Sequence, residues 1–403
     1  MAISTGPGTG PGTGPGTGPG TGPGPGTGPG AGTASDVGPF GEVFMSRHAG
    51  SPASPFLSTA LNTTRDGLIN YWPGTPTNAV NAFETDENYL EQIRVPTQAM
   101  LLDCELRSRL AVLGVKETDA TIAQGKANLI YMHDLAGTPT AQSLVQLERP
   151  GAQHFVDQLQ WVRAYADLRA DRMAEIQVQL GDMLSFFGAH AYLDNGRRSK
   201  TLLYLSVALS VAIHVASLMK YHLRQKRPVD YATEVQPIIQ TPDHSSFPAG
   251  HSIEAFAVAT VLNHFMTLNN TDKIEEVSFA SKDIKLPFLL AHRISTNRVV
   301  AGVHFPIDCQ AGAYIGVLLG DLIYKLGADA TRLSTETDPN APRKIRVQSI
   351  TSQKLCEKQT KAGDFLLSSF SELKSVTAST KTVSGIEPLP IARHLWDAAQ
   401  EEW

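Results

Sequence analysis

Cysteine is nearly absent from this chain of 403 residues. Cys104, Cys309 and Cys356 are odd in number, far apart, and in no C-x-x-C or zinc-type spacing. That excludes a disulfide framework and a cysteine-based metal site, and leaves three free thiols. A basic excess is missing as well. Lys and Arg number 34 against 39 Asp and Glu, a net charge of -5, so no overall field draws the chain to nucleic acid. The N-terminus lacks a positive stretch followed by an apolar one, so no signal peptide is recognised, and the expectation is a cytoplasmic or otherwise soluble chain. Long apolar runs are limited to one. Leu202 to Met219 has 18 residues without a charge, interrupted by His214 and several serines and alanines. Its length lies at the lower edge of a membrane span. It reads as the central helix of a folded core, with no membrane span. Strand signals are scarce, Lys344 to Ile350 being the best.

What is present divides the chain into four parts. Residues 1–35 repeat Gly-Thr-Gly-Pro and carry no large apolar group, which reads as a disordered leader. Residues 36–150 read as an irregular N-terminal arm followed by helices, the region Glu87 to Leu113 having helical spacing broken at Pro96. Residues 151–327 carry the strongest 3.6-residue periodicity. The longest stretch is 152–190, with further helices expected at 199–224, 251–268, 282–296 and 304–326. Residues 328–403 form a polar C-terminal extension in which Leu395 and Trp396 suit a short helix docking on the body. The fold class is therefore all-α, a helical bundle.

Three short segments carry chemistry. In Lys220-Tyr-His-Leu-Arg-Gln-Lys-Arg227-Pro228 two cations lie seven apart, two helical turns, before a proline that ends the helix. Alone, this is an ordinary basic helix end. In His244-Ser-Ser-Phe-Pro248-Ala-Gly250-His251-Ser252 a tight turn opens an apolar helix. Its free amides favour an anion, and Gly250 lets one approach closely. His251 is placed to exchange a proton with whatever the turn holds. In Arg298-Val-Val-Ala-Gly-Val-His304-Phe-Pro306-Ile-Asp308 a carboxylate four residues after a histidine can reach one imidazole nitrogen. That contact fixes the tautomer. Each segment alone has a structural explanation, but the three in order describe a pocket for a tetrahedral oxyanion.

The combination Lys-x6-Arg-Pro, Pro-x-Gly-His, Arg-x5-His-x3-Asp resembles the shared signature of the vanadium-dependent haloperoxidases and the type 2 phosphatidic acid phosphatase superfamily. The resemblance implies a helical bundle of the haloperoxidase/acid phosphatase type. It implies that Lys220, Arg227, Gly250 and Arg298 hold the oxyanion, that His251 is general acid/base, that His304 is the covalent partner, and that Asp308 orients His304. In one branch His304 is the axial ligand of vanadium, with vanadate as cofactor; in the other it is a phosphohistidine nucleophile and no cofactor is needed. One position departs from the pattern: Ala249 stands where the signature has serine, which removes a hydroxyl donor worth on the order of 1 kcal/mol.

His244, seven residues before His251, matches a histidine of the bromide-oxidising haloperoxidases. On that residue the expected activity is a vanadate-dependent peroxidase oxidising halide with hydrogen peroxide, bromide favoured. The alternatives are a metal-free acid phosphatase acting on phosphate monoesters and a non-catalytic anion-binding protein. A homodimer would be ordinary for this superfamily, and the sequence itself does not fix the oligomeric state.

Overall fold

The computed structural model describes residues 55–69, 71–76, 86–115, 125–133, 140–267, 285–328, 345–346, 348–350, 356, 363–367, 382–383 and 388–403. The repeat at 1–35 and most of the arm lie outside them. Helices dominate, in the order α1 (Pro55–Leu68), α2 (Asp86–Gln92), α3 (Val95–Arg107), α4 (Ala152–Tyr165), α5 (Arg169–Val178), α6 (Leu184–Ala191), α7 (Ser199–Leu223), α8 (Pro228–Tyr231), α9 (Gly250–Thr267), α10 (Leu286–Val300), α11 (Pro306–Gly327) and α12 (Pro390–Gln400). The strands are β1 (Leu110–Val115), β2 (Lys126–His133), β3 (Thr140–Glu148), β4 (Ile345–Arg346), β5 (Gln348–Ile350) and β6 (Thr382–Val383). The fold is the expected helical bundle, with a four-stranded and a two-stranded sheet added among the described residues.

The centre of the bundle is α9, which packs against α7, α10 and α11. Twelve of its residues are buried, from Ser252 to Phe265, so the helix is apolar nearly all round, as a central helix must be. Its contact with α11 is closest. Gly312, Gly316 and Gly320 repeat every fourth residue on one face of α11, and a Cβ added at Gly316 would stand 2.5 Å from the Ile253 carbonyl oxygen. The two backbones thus approach to a distance that no side chain on that face permits. This fixes the start of α9 against the start of α11, where the candidate site lies.

The periodic stretch 152–190 is not one helix. It breaks into α4, a 3-10 turn at Ala166–Leu168, α5 and α6. The turn before α6 is held by Asp182, whose carboxylate accepts the Ser185 amide at 3.0 Å, a side-chain cap that competes with continued helix. The charge-free run is α7, whose buried residues run from Thr201 to Leu223. At the C-terminal end α12 buries Leu395 and Trp396, Trp396 stacking on Phe265 with ring centroids 4.0 Å apart.

Residues 36–150 were expected to hold only an arm and helices, and the described part of that region corrects this. α3 ends at Arg107 and the chain enters an antiparallel β1–β2–β3 sheet, extended by β5 parallel to β3. β2 alternates, with Ala127, Leu129 and Tyr131 buried. It has one β-branched residue, Ile130, so its strand propensity is low and pairing with β1 and β3 makes it a strand. The sheet lies against the end of α7: a Cβ at Gly114 would collide with the His222 ring.

Candidate functional site

Four chain segments bring the site together around the first turn of α9. α7 supplies Lys220 and the loop after it supplies Arg227. The turn 244–249 leads into Gly250 and His251, α10 supplies Arg298, and the entry to α11 supplies His304 and Asp308. Lys220, Arg227, Arg298, His304 and Asp308 are each no more than 4% exposed. Burial of three cations together is costly without a partner charge.

Lys220 and Arg227 do not sit on one helix, as their spacing suggested. α7 ends at Leu223, and Arg224 adopts a left-handed conformation (φ 50°) that turns the chain away. Arg227 then precedes the single turn of α8 in extended geometry. The two side chains still converge. The Lys220 ammonium donates to the Ser245 carbonyl at 2.7 Å and to that of Ser246 at 3.2 Å. The Arg227 guanidinium donates to the His244 carbonyl (Nε, 3.1 Å) and the Val303 carbonyl (Nη1, 2.8 Å). Burial, then the neighbouring Arg227 charge, pulls the Lys220 pKa down.

The His304 side is fixed by hydrogen bonds. His304 Nδ1 is 3.0 Å from Asp308 Oδ2, and the same oxygen accepts the Phe305 amide at 2.9 Å and the Ser246 hydroxyl. Arg227 Nη1 lies 3.1 Å from His304 Nε2. A guanidinium only donates, so Nε2 accepts; the proton of the neutral ring therefore sits on Nδ1, facing the carboxylate. Burial first, and then Arg227 and Lys220, hold the His304 pKa well below its ordinary value, so the ring stays neutral. Asp308 also accepts the Ala249 amide on its backbone oxygen at 2.9 Å, which ties the turn before α9 to the start of α11.

The opposite side is arranged differently. Arg298 uses Nη2 toward the Ile176 carbonyl at 3.3 Å and the Gln179 side-chain oxygen at 3.2 Å. Its Nε and Nη1 are buried and meet no acceptor among the described residues. His251 Nε2 is 3.0 Å from the Gln179 carbonyl oxygen. A carbonyl only accepts, so the proton is on Nε2 and Nδ1 carries the lone pair. Burial, with Arg298 second, pushes the His251 pKa down to about 3. The first amides of α9 have no intrahelical acceptor and add to this donor set.

His244 does not point chemistry into the pocket. Its Nδ1 is 3.1 Å from Arg227 Nη2, so ring and backbone oxygen together grip the arginine. Three contributors escaped the sequence reading. Ser246 bonds Asp308; Gln179 bonds both His251 and Arg298; Glu254 stands one turn into α9, beside Lys220. Only Glu254 left a signal, as the one acidic or basic residue, histidines aside, between Gly250 and Thr267. A groove of about 780 Å³ lined by Tyr221, Arg224, Lys226, His244 and Pro242 reaches Lys220 and Arg227 from outside.

With this geometry in place, residues 200–332 match the family model for the PAP2 superfamily, and the chain carries a domain of that superfamily, to which the haloperoxidase-like branch also belongs. The similar characterised proteins include phosphatases. The decaprenylphosphoryl-5-phosphoribose phosphatase of Mycobacterium tuberculosis is 26% identical over 136 residues, covering 34% of this chain and 67% of that protein. Phosphatidylglycerophosphatase B of Bacillus subtilis is 34% identical over 82 residues, 19% of this chain and 37% of its own. The crystal structure of a transmembrane PAP2-type phosphatidylglycerolphosphate phosphatase from Bacillus subtilis covers 41% of this chain and 73% of its own at 22% identity, with a TM-score of 0.24.

Two expectations are corrected. The vanadate-dependent peroxidase reading is overturned, because the matched proteins include phosphatases and favour the phosphatase alternative instead. The vanadium-ligand role for His304 and the vanadate cofactor lose their support with it. The soluble, cytoplasmic placement loses its support as well: by length and composition the helical stretch Ser199–Tyr231 is long and apolar enough to cross a membrane.

Proposed function

We propose that this protein is a metal-free phosphatase that hydrolyses phosphate monoesters through a phosphohistidine at His304. The observation that carries this reading is Arg298, buried at 1% exposure with two guanidinium nitrogens lacking an acceptor among the described residues. A buried donor left unpaired costs about 1–3 kcal/mol, and a phosphoryl oxygen supplies the missing acceptor. Lys220, Arg227 and the α9 amides approach the same space from the other sides. Together they neutralise charge on the equatorial oxygens of a phosphoryl group in transfer.

His304 Nε2 attacks phosphorus as the ester P–O bond breaks, and the departing alkoxide takes a proton from His251. Asp308 holds the ring by its Nδ1 proton and stabilises the cationic phosphohistidine. Water, giving its proton to His251, then attacks phosphorus; the P–N bond breaks and phosphate leaves. His251 is neutral in the free protein. The negative charge of the bound ester raises its pKa, which lets it carry the proton. His244 holds Arg227 in position.

Candidate substrates are monoesters of the kinds named in its relatives, phosphorylated glycerolipids and prenyl-linked sugar phosphates. The reading is tested by hydrolysis of a generic phosphomonoester, its inhibition by vanadate, and its loss in His304→Ala. Intact hydrolysis in that variant removes it.

A further inference from the structure

Glu254 sets a carboxyl group beside Gly250 and the Lys220 side chain at the start of α9. Its Oε1 lies 3.2 Å from the point where a Cβ on Gly250 would stand, and Lys220 Cε lies 3.6 Å from the same point. The carboxyl therefore shares with Lys220 the space beside the first residue of α9, next to the proposed oxyanion site. Lys220 on α7 and Arg298 on α10 face it; Arg227, His304 and Asp308 complete the surrounding charged and titratable groups, and His251 is three residues away on its own helix. An ionised carboxylate there would repel a dianion and cancel part of the field of Lys220 and Arg298. A neutral carboxyl does the opposite, because its O–H is a donor. The pocket lacks one such donor, since Ala249 occupies the place of a hydroxyl-bearing residue and is fully buried.

We propose that Glu254 is a substrate-binding residue that enters the complex protonated, its carboxyl O–H donating to an oxygen of the phosphoryl group in place of the hydroxyl absent at Ala249. Binding of the dianion at alkaline pH then converts the Glu254 carboxylate to the acid by taking one proton from solvent. The inference rests on the phosphate-ester reading of the pocket. Burial pushes the Glu254 pKa up to about 7, against the opposing pull of Lys220 and Arg298. That leaves the group close to its neutral form before any ligand arrives, and a bound dianion raises it further.

The test is infrared difference spectroscopy of the full chain at pH 8, with and without tungstate, a phosphate-shaped dianion whose charge is constant in this range. The expected result is a new carbonyl band of one protonated carboxyl group. It shifts when glutamate is labelled with ¹³C at the side-chain carboxyl and is absent in E254Q. The isotope shift assigns the band without a variant, so a misfolded E254Q leaves the test intact. In the same conditions E254Q, which keeps a donor, binds tungstate about fivefold more tightly than E254A. A complex with no such band, or with a band unmoved by glutamate labelling, overturns the proposal. Neither readout requires turnover. A band without phosphomonoester hydrolysis retains Glu254 and removes the phosphatase reading; hydrolysis without the band does the reverse.

Discussion

The two walls of the pocket are satisfied to very different degrees. On the nucleophile wall, His304 has a partner at each ring nitrogen, one oxygen of Asp308 accepts from three groups, and Arg227 is held by two carbonyls and two imidazoles. On the anion wall Arg298 keeps two donors without acceptors among the described residues, and Glu254 stands beside Lys220. The first wall spends its polar groups on orientation. The second, in the proposed reading, leaves them for the ligand. Preorganised donors in a water-poor site act strongly on developing charge, and the folded protein bears the cost of holding them unpaired.

That contrast has measurable consequences. The largest is expected for Asp308→Asn. An amide at this position donates to His304 Nδ1, which moves the ring proton to Nε2 and removes the nucleophilic lone pair. Activity should fall about 10⁴-fold, and the melting temperature should fall too, because the Phe305 and Ser246 contacts weaken. Arg298→Met should lower kcat/KM by about 10²–10³-fold, yet leave the melting temperature in phosphate-free buffer equal to or above that of the parent protein. Replacing an uncompensated buried charge by a thioether of similar length removes a desolvation cost. A drop of several degrees would show that both walls are structural and erase the distinction.

Ser246→Ala tests the nucleophile wall more finely. It removes one of three donors to Asp308 Oδ2, a change of about 1 kcal/mol. The expected effect is a roughly fivefold loss in kcat with KM unchanged. His264→Phe is a control at the far end of α9, away from both walls. His264 is buried and stacks on Tyr324 at 3.8 Å; burial pulls its pKa down to about 4. The unfolded chain therefore binds one more proton than the folded one between about pH 4 and 6.5, and the parent protein loses stability as pH falls through that window. Thermal unfolding at pH 7.5 and 4.5 should show the parent losing ground to His264→Phe, with pocket activity untouched.

Much of the nucleophile wall was legible in the sequence because its chemistry is local. His304 and Asp308 are four apart, and Pro306 fixes the helix start that joins them. Gly250 and His251 announce a helix N-terminus, and α7, α9, α10 and α11 are long periodic helices. The anion wall was legible only in its cations. Gln179 works partly through its backbone oxygen, which no residue type marks, and it reaches the pocket from a helix end 72 residues before His251. Ser246 is one serine among many until the fold sets it against Asp308. The β1–β3 sheet was missed because strand pairing is a long-range property, and β2 has little propensity of its own. The choice of reaction was misread for a different reason. Peroxidase and phosphatase chemistry ask for the same donors around the same tetrahedral ion, and the residue that tipped the reading, His244, is occupied with Arg227.

The most direct test of the central claim is to trap the covalent intermediate. Rapid acid quench is too harsh for a phosphoramidate, so a ³²P-labelled phosphomonoester should be mixed with the protein and quenched in alkaline denaturant. Up to one base-stable, acid-labile phosphoryl group per chain, mapped to His304 and missing in His304→Ala, is the predicted result. Hydrolysis that proceeds with no label on His304 would contradict it.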